Sequence, residues 1–395
     1  MNSICLSMIF RSPRNQLMRV KLNGIHVNRN QNSILSDFNL ETQLDEYVVI
    51  LGENGAGKTT ALRTIAGLQA IDEGEIYFNE NSVKDLPPRK RSVSMVFQGD
   101  ALYPHLKLGA AILNSFPKEI SGEQREVYLR SIANTLGLES LIDRYPNQIS
   151  GGEARRTAIA CAMARKTHLR LLDEPLHSLD PALRPKLLQD LRKWHCEQGG
   201  TTIHVTHDAD EAMQVADRIA ILSSGRVVQF ATPSIIYDDP QHIDAATLLG
   251  SPTINLIPVP LKTDASEANR DRVGITYSES LMRHGIPSSC EVIAGVRPQH
   301  WIIEANEKES PSTIEALSLK ATVERIWRGC EHWHLSASCN GHLIQAKTSI
   351  DDHDQLEFID SVQPHQTLCF SATAAHVFLF DKKTGTRVGK QSIHQ

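Results

Sequence analysis

The sequence is short of several features that would fix a class of protein at once. No apolar run approaches the roughly 18 residues needed to cross a bilayer, which argues against a membrane channel. The seven cysteines form no Cys-x-x-Cys pair, so neither a zinc site nor a disulfide framework is expected, and free thiols in a reducing cytosol fit best. A net charge of −5 and an isoelectric point near 6.4 argue against a large nucleic-acid-binding surface.

The composition that is present is that of an ordinary globular protein. Hydrophobic residues make up 41% of the chain and charged residues 22%. A length of 395 residues exceeds what one compact core usually holds and predicts two or three domains. Residues 1–17 carry an apolar patch that is too short and poorly flanked for a signal peptide, so we expect a flexible leader before Met18.

From Met18 to about Gly225, strand-like apolar runs alternate with segments of helical spacing. This alternation predicts an α/β domain with a largely parallel sheet. Residues 106–150 have little strand character, so we expect a helical insertion, within a helical subdomain at about 100–165. Arg170 interrupts one apolar run and is expected to point outward. The predicted strands are 47–52, 75–78, 93–97, 201–206 and 219–223, and the predicted helices are 58–66, 122–136, 151–165 and 182–195.

A glycine-rich loop follows the apolar strand 47–52. Gly52, Gly57, Lys58 and Thr59 fit the pattern Gly-x-x-x-x-Gly-Lys-Thr, in which glycines let the backbone wrap around a phosphate. The backbone N–H groups and the following helix N-terminus would hold the phosphates, Lys58 would reach the β- and γ-phosphates, and the Thr59 hydroxyl would bind Mg²⁺. The predicted ATP-binding residues of this loop are Gly52, Glu53, Asn54, Gly55, Ala56, Gly57, Lys58, Thr59 and Thr60.

A second strand ends in two acidic residues, in the stretch LRLLDEP at 169–175. Asp173 is the predicted partner of Mg²⁺, and Glu174 is a candidate general base for the attacking water. Two acidic residues at a strand end also occur on plain surface turns, so this pair indicates a catalytic site only in combination with the phosphate loop.

Four further segments resemble the motifs of ATP-binding-cassette (ABC) ATPases. QISGGEARR (148–156) resembles the signature loop, VFQGDALYPHL (96–106) the Q-loop of the importer branch that includes maltose-type sugar transport, HSLD (177–180) the D-loop, and HVTHDADEA (204–212) the switch-histidine segment. Together with the phosphate loop and the acidic strand end, these segments follow one another along the chain in the same order as in this family. The resemblance covers residues 18–250 and implies a P-loop NTPase cassette.

The resemblance also implies roles for single residues. In such ATPases two cassettes pair head to tail, so each ATP lies between one phosphate loop and the partner's signature loop. The γ-phosphate of the partner's nucleotide would then face Ser150, Gly151 and Gly152. Glu153 is the next residue of the signature. Asp180 would contact the partner's phosphate loop.

Two residues would complete the catalytic set in this resemblance. Gln98 would touch Mg²⁺ and the attacking water while it senses the membrane subunits. His207 would hold the γ-phosphate and link to Glu174. Because these residues and both acidic positions are kept, we expect an active ATPase that uses ATP and Mg²⁺.

Three positions depart from the family pattern. Glu153 replaces the usual Gln of the signature, which would place a carboxylate near phosphate if the side chain pointed toward it. His177 replaces the usual Ser of the D-loop. Upstream of the loop strand, the adenine-stacking aromatic is missing, and Arg29 stands there: a guanidinium plane can stack on a base, but a solvated turn fits the position equally well.

After about residue 250 the helical periodicity stops and short β-rich runs follow. The segments IAGVRPQHW (293–301) and HVFLFDKKTGTRV (376–388) resemble the OB-like regulatory domain called TOBE, found on importer ATPases. The expected organisation is therefore an ABC ATPase domain at 18–250 and a TOBE-like all-β domain at 251–395. The β-domain either binds a regulator or serves only in dimer contacts.

The leading expectation is the ATP-hydrolysing subunit of a solute importer, peripheral at the cytoplasmic face of the inner membrane. Its expected partners are two integral membrane permease subunits, a second ATPase subunit in a homodimer or heterodimer, and, indirectly, a solute-binding protein; nucleic acid is not expected. The importer resemblance favours a sugar-like solute, although polyamine, iron and phosphonate importers have similar subunits. The alternatives are a soluble non-transport ABC ATPase and a cassette that hydrolyses ATP poorly and acts as a regulator.

Overall fold

The computed structural model describes residues 17–99, 102–165, 167–177, 179–259, 275–277, 291–305, 315–349, 359 and 361–388. Apart from residue 17, the expected leader lies outside these residues. The chain divides into two compact units, Met1–Ile235 and Ile236–Gln395.

The first unit contains two sheets. A six-stranded sheet has the order β10-β9-β3-β8-β7-β6, and all its pairings are parallel except that of β10 with β9. A four-stranded antiparallel sheet has the order β2-β1-β4-β5. The strands are β1 (Val20–Arg29), β2 (Asn32–Glu41), β3 (Tyr47–Leu51), β4 (Glu73–Phe78), β5 (Asn81–Ser82), β6 (Val93–Val96), β7 (Leu169–Asp173), β8 (Thr201–Thr206), β9 (Arg218–Ser223) and β10 (Arg226–Ala231).

In the described part of the chain, six helices connect these strands, and a seventh crosses into the second unit. They are α1 (Lys58–Ala66), α2 (Leu108–Ser115), α3 (Gly122–Leu136), α4 (Gly151–Ala164), α5 (Arg184–Gln198), α6 (Ala209–Val215) and α7 (Pro233–Asp238). Short 3₁₀ turns lie at Pro88–Lys90, Glu139–Leu141 and Pro146–Gln148. The helices α2, α3 and α4 pack against one another, which is the predicted helical insertion.

The central strands explain why the sequence pattern was clear. Every residue of β3, β7 and β8 is buried. Strands of a parallel sheet that is covered on both faces carry continuous apolar runs instead of alternating ones. The strand and helix predictions in this unit agree with the structure to within three residues at each end.

Arg170 lies in β7 and is buried, so the expectation that it points outward is wrong. Its guanidinium lies over the Trp194 ring at 4.7 Å from the ring centroid. It also donates hydrogen bonds to the backbone oxygen of Gly200 at 3.0 Å and to Oγ1 of Thr202 at 3.2 Å. Burial lowers the pKa of Arg170 to about 10. The aromatic face and these oxygens replace water around the cation, which is why a charged residue is tolerated inside the sheet.

The second unit is built of two antiparallel sheets preceded by the short helix α8 (Ile243–Leu248). One sheet has the order β11-β13-β19-β20, and the other has the order β14-β18-β15-β16-β17 with β12 beside β15. The strands are β11 (Asn255–Val259), β12 (Ile275–Tyr277), β13 (Val292–Val296), β14 (Ile302–Glu304), β15 (Glu315–Arg328), β16 (His332–Cys339), β17 (His342–Ser349), β18 (Thr367–Thr373), β19 (Val377–Asp381) and β20 (Arg387–Val388). One apolar cluster takes side chains from both sheets, and the predicted all-β, OB-like architecture is confirmed.

The TOBE-like segment 293–301 has a structural task in this unit. Arg297 is buried, and it donates to the backbone oxygens of Leu249 and Tyr237, each at 2.6 Å. Its guanidinium also stacks 3.6 Å from the ring centroid of Tyr237. Arg297 directly follows β13. It therefore links this strand to Tyr237 in α7 and to Leu249 at the end of α8. Within the described residues, no helix is long and apolar enough to cross a membrane.

Candidate functional site

The phosphate loop follows β3 and leads directly into α1. Gly52 leaves no room for a side chain, because an added Cβ would lie 2.4 Å from the backbone oxygen of Leu222. Gly57 has a φ of +106°, in the left-handed region that favours glycine, and is the N-cap residue of α1. The N–H groups in the first turn of a helix have no partner within it, so this N-terminus suits an anion such as phosphate.

Lys58 is almost fully buried and folds back over the loop. Its ammonium donates to the backbone oxygens of Gly52 at 2.8 Å and Glu53 at 2.9 Å. Burial lowers the pKa of Lys58, and the carboxylates of Glu174 and Asp173 oppose that shift. A cation is thus held beside the helix N-terminus, where phosphate oxygens can replace the two carbonyls. Of the other predicted loop residues, Glu53, Asn54 and Gly55 are exposed, Ala56 is buried, and Thr59 and Thr60 are half-buried.

Asp173 and Thr59 form a pair suited to a hard cation. Asp173 ends β7, and Thr59 Oγ1 donates to its Oδ1 at 2.9 Å. Its Oδ2 is buried and has no hydrogen-bond partner within the described part of the chain. Burial raises the pKa of Asp173, an effect that a bound cation would reverse. A hydroxyl and a carboxylate with an unused oxygen are the ligands that Mg²⁺ prefers, so these residues fit that ion.

Glu174 is the point at which separate segments of the site meet. Its carboxylate accepts a hydrogen bond from Nε2 of Gln98 at 3.3 Å and lies 3.3 Å from Nδ1 of His207. The ammonium of Lys58 is 3.9 Å from the same carboxylate, as is Nδ1 of His177. The backbone of Glu174 has a φ of +46°, a strained value for a residue with a side chain. Gln98 is a predicted ligand of Mg²⁺. In the structure it contacts Glu174, the residue that follows the predicted ligand Asp173.

His207 follows β8 in a short loop with its own hydrogen bonds. Oδ1 of Asp208 accepts from the N–H groups of Asp210 and Glu211, at 2.9 and 3.2 Å, and caps α6. Oγ1 of Thr206 donates to the buried carboxylate of Glu211 at 2.8 Å and accepts from the Asp208 N–H at 3.0 Å. These bonds fix the backbone on both sides of His207 and leave its ring half turned to solvent.

Arg155 is a further residue of the site that the sequence alone does not indicate. It is buried in α4, and it donates to the backbone oxygens of Asp173 at 2.5 Å, Glu174 at 2.7 Å and Pro175 at 3.0 Å. It also donates to the backbone oxygen of Phe97, next to Gln98. One guanidinium thereby joins the segment of Gln98 to that of Glu174. The only available signal was two adjacent arginines after the signature glycines.

The signature loop forms the N-terminus of α4. Ser150 is the N-cap residue, its hydroxyl accepts from the N–H of Glu153 at 3.3 Å, and Gly151 and Gly152 make the first turn. The Glu153 carboxylate accepts in return from the N–H of Ser150 at 2.7 Å and from its hydroxyl at 2.9 Å. These bonds lower the pKa of Glu153, so it stays ionised. The carboxylate is turned back onto the cap and engages the Ser150 hydroxyl.

Two predicted residues stand apart from this cluster of contacts. Asp180 is exposed, and its carboxylate accepts from the N–H of Ala182 at 2.9 Å. Arg29 is exposed at the end of β1. The hairpin that carries it does lie against the phosphate loop, since an added Cβ at Gly57 would be 2.9 Å from the backbone oxygen of Ile34.

The fold and the site match known proteins. Residues 35–177 match the family described as ABC transporter. The maltose/maltodextrin import ATP-binding protein MalK of Salmonella typhimurium is 35% identical over 302 residues, which cover 74% of this chain and 78% of that protein. The sulfoquinovosyl glycerol transport ATP-binding protein SmoE of Agrobacterium fabrum is 37% identical over 276 residues, covering 68% and 75%.

A solved structure of a cassette is similar as well. It is the dimeric post-hydrolysis state of the ATP-binding cassette MJ0796 bound to ADP and Pi, at 31% identity and a TM-score of 0.50, covering 54% of this chain and 98% of that one. The chain therefore belongs to the ABC transporter family, and it is an ATPase of the ATP-binding-cassette type. The predicted family and fold class are confirmed.

Replacing Arg155 with Lys tests its role in joining the two segments. A lysine keeps the charge but cannot reach all the carbonyls, so we expect ATPase kcat to fall more than tenfold and stability to fall by about 1–3 kcal/mol. Turnover assays and urea unfolding measure both effects. Arg156→Lys is the matched control, because the bonds that Arg156 donates within the described residues go to Leu136 and Gly137, at the end of α3. Equal losses in the two variants would contradict the assigned role.

Replacing Glu153 with Gln tests the effect of the carboxylate in the signature loop. The amide oxygen can still accept from the Ser150 N–H, but the negative charge is lost, so KM for ATP should fall about 2- to 10-fold. Glu123→Gln is the control, since Glu123 lies in the first turn of the Ser121-capped helix α3. An unchanged KM in Glu153→Gln would show that this charge does not act on the nucleotide.

Proposed function

We propose that the protein is the ATP-hydrolysing subunit of an importer for a sugar-like solute. The observation that carries the proposal is the Glu174 carboxylate, which meets Gln98 and His207 beside Lys58. Such a set can orient a water, remove its proton and stabilise a phosphoryl group in one place. The sugar-like solute is supported by the two relatives, which are named for maltose/maltodextrin import and sulfoquinovosyl glycerol transport.

In this proposal each residue near the phosphate loop has one task. The loop N–H groups and Lys58 hold the phosphates, and Arg29 lies on the side of the nucleotide base. Thr59 and Asp173 would hold Mg²⁺, with Gln98 as a further ligand, and the ion would neutralise negative charge on the phosphates. Glu174 accepts the proton of the attacking water.

His207 completes the set in this proposal. Its Nδ1 lies beside the carboxylate of Glu174, which leaves Nε2 for an oxygen of the γ-phosphate. The side-chain hydrogen bonds of Thr206, Asp208 and Glu211 fix the loop that carries this ring. His207 is thus placed to stabilise charge on the phosphoryl group while it orients the base.

The second half of each ATP site would come from another cassette. Ser150, Gly151 and Gly152 would offer a hydroxyl and N–H groups to the partner's nucleotide, and Asp180 would contact the partner's phosphate loop. The dimeric form of the similar solved cassette supports this pairing, as a homodimer or with a related subunit.

The remaining partners follow from the import function. Two integral membrane permease subunits would receive the motion, a solute-binding protein would act on them from the other side, and nucleic acid would have no part. The protein would sit peripherally at the cytoplasmic face of the inner membrane. Residues 18–250 would form the ATPase domain and 251–395 the TOBE-like regulatory domain.

Replacing Glu174 with Gln tests the proposed base. The amide keeps the size of the side chain but cannot take a proton, so turnover should fall roughly 10²- to 10⁴-fold while ATP affinity is retained. Lys58→Ala is the contrasting variant, which should lose ATP affinity as well. Equal turnover of wild type and Glu174→Gln would remove Glu174 from the mechanism and favour a regulatory cassette.

Reconstitution tests the import function. The chain is placed in liposomes with the permease pair encoded near its gene, and ATP hydrolysis is measured with solute-binding protein on the opposite side. We expect sugar-loaded binding protein to stimulate hydrolysis several-fold, and the same complex with Glu174→Gln to show no stimulation. Stimulation by a polyamine, iron or a phosphonate, with none by sugars, would contradict the proposed solute class.

A further inference from the structure

Glu174 and His207, which serve the ATPase mechanism, form a cluster with His177, a histidine that this mechanism does not require. His177 Nδ1 lies 3.9 Å from Oε2 of Glu174, and His207 Nδ1 lies 3.3 Å from Oε1. One ligand atom from each of the three side chains lies within 4.8 Å of the other two. The two imidazoles thus approach opposite oxygens of one carboxylate.

The backbone places His177 in this position. Its N–H donates to the backbone oxygen of Glu174 at 3.2 Å, which closes a tight turn after β7. A nitrogen of the Arg184 guanidinium donates to the backbone oxygen of His177 at 3.3 Å. The ring then meets the His207 ring edge-on, with centroids 5.2 Å apart and an interplanar angle of 69°. The second imidazole is therefore directed at the carboxylate by the turn, although its side chain is 55% exposed.

The chemistry of these ligands differs from that of the Mg²⁺ pair. Two imidazole nitrogens and a carboxylate oxygen suit Zn²⁺ and similar divalent transition ions, whereas Mg²⁺ takes oxygen ligands. Bond lengths of about 2.0–2.2 Å around a tetrahedral ion require ligand atoms roughly 3.3–3.6 Å apart. The 3.3 Å between His207 Nδ1 and Glu174 Oε1 meets this requirement, whereas His177 Nδ1, at 3.9 Å from Oε2, must move closer, which its exposed ring permits. Lys58, at 3.9 Å from Oε1, opposes a second cation and limits the affinity.

We propose that His177, His207 and Glu174 bind Zn²⁺ or a similar divalent transition ion, and that the bound ion stops ATP hydrolysis. Coordination would occupy the carboxylate oxygens that the attacking water requires, together with the ring of His207. The inhibition rests on the proposed function of Glu174 and His207, but the binding of the ion does not. The site would make turnover depend on free transition metal at constant ATP.

Metal binding is tested on the full-length, nucleotide-free protein. Zn²⁺ binding is measured by calorimetry, and Co²⁺ absorption reports coordination by nitrogen ligands. The test variant is His177→Ser, and the matched control is His342→Ser, an exposed histidine at the start of β17. We expect the wild type and the control to bind one ion with equal affinity. His177→Ser should bind it at least 10- to 100-fold more weakly, the range seen when even a second-shell partner is lost.

Inhibition is tested separately, with each variant compared with its own zinc-free turnover. Buffered free Zn²⁺ should inhibit the wild type and His342→Ser at concentrations that leave His177→Ser active. Identical Co²⁺ spectra in wild type and His177→Ser, or equal zinc inhibition of both, would overturn the proposal. A different result would separate the two proposals. If zinc binding depends on His177 but neither the wild type nor any variant hydrolyses ATP without zinc, the proposed function is refuted and the metal site is retained.

Discussion

The parallel pairing of β3, β8 and β7 is the constraint on which the site depends. In their register Leu51 lies beside Thr206, and Asp173 lies beside Val205. Parallel strands end at one edge of a sheet, so the segments that follow them meet there. The phosphate loop, the acidic pair and the switch histidine are brought together because each follows one of these three strands. A change of register by a single residue would separate Glu174 from both His207 and Lys58.

This edge of the sheet holds a conformation that the chain would not adopt alone. The left-handed backbone at Glu174 costs on the order of 1–3 kcal/mol. The surrounding structure opposes that cost through the bond from the Glu174 N–H to the backbone oxygen of Val205, at 3.0 Å, and through the buried guanidinium of Arg155. Hydrogen bonds from a charged group are worth about 1.5–3 kcal/mol each, so Arg155 alone can offset the strain. The position of the carboxylate is thus fixed from α4, the helix that begins with the signature loop.

Much of this arrangement could be predicted from local sequence. A continuous apolar run identified β3, the spacing of Gly52, Gly57 and Lys58 identified the phosphate loop, and the strand end identified the acidic pair. These signals are local because backbone geometry creates them: glycine is needed at a left-handed φ, and a buried parallel strand needs apolar residues on both faces.

What could not be predicted depends on contacts between distant segments. Arg155 bonds to backbone oxygens at 97 and 173–175, which carry no mark in the sequence. Arg170 stays inside because Trp194 and the turn before β8 surround it. The Glu153 side chain turns back because its carboxylate accepts hydrogen bonds from the N-cap residue Ser150. Residue types alone do not tell whether this carboxylate points toward the cap or away from it. In the sequence, His177 stands out only because it replaces the usual Ser of the D-loop. Its approach to Glu174 depends on the turn after β7, which the sequence pattern does not show.

The folded-back ammonium of Lys58 has a consequence for the speed of the cycle. Because it bridges two carbonyls of its own loop, it stabilises the curvature of that loop through bonds within the chain. Ordering a backbone residue costs about 1–2 kcal/mol, and for this segment that cost is met when the protein folds. Arrival of a triphosphate then requires an exchange of ligands on one cation. A preorganised cradle of this kind favours rapid loading and release, which suits a motor that must reset after every turnover.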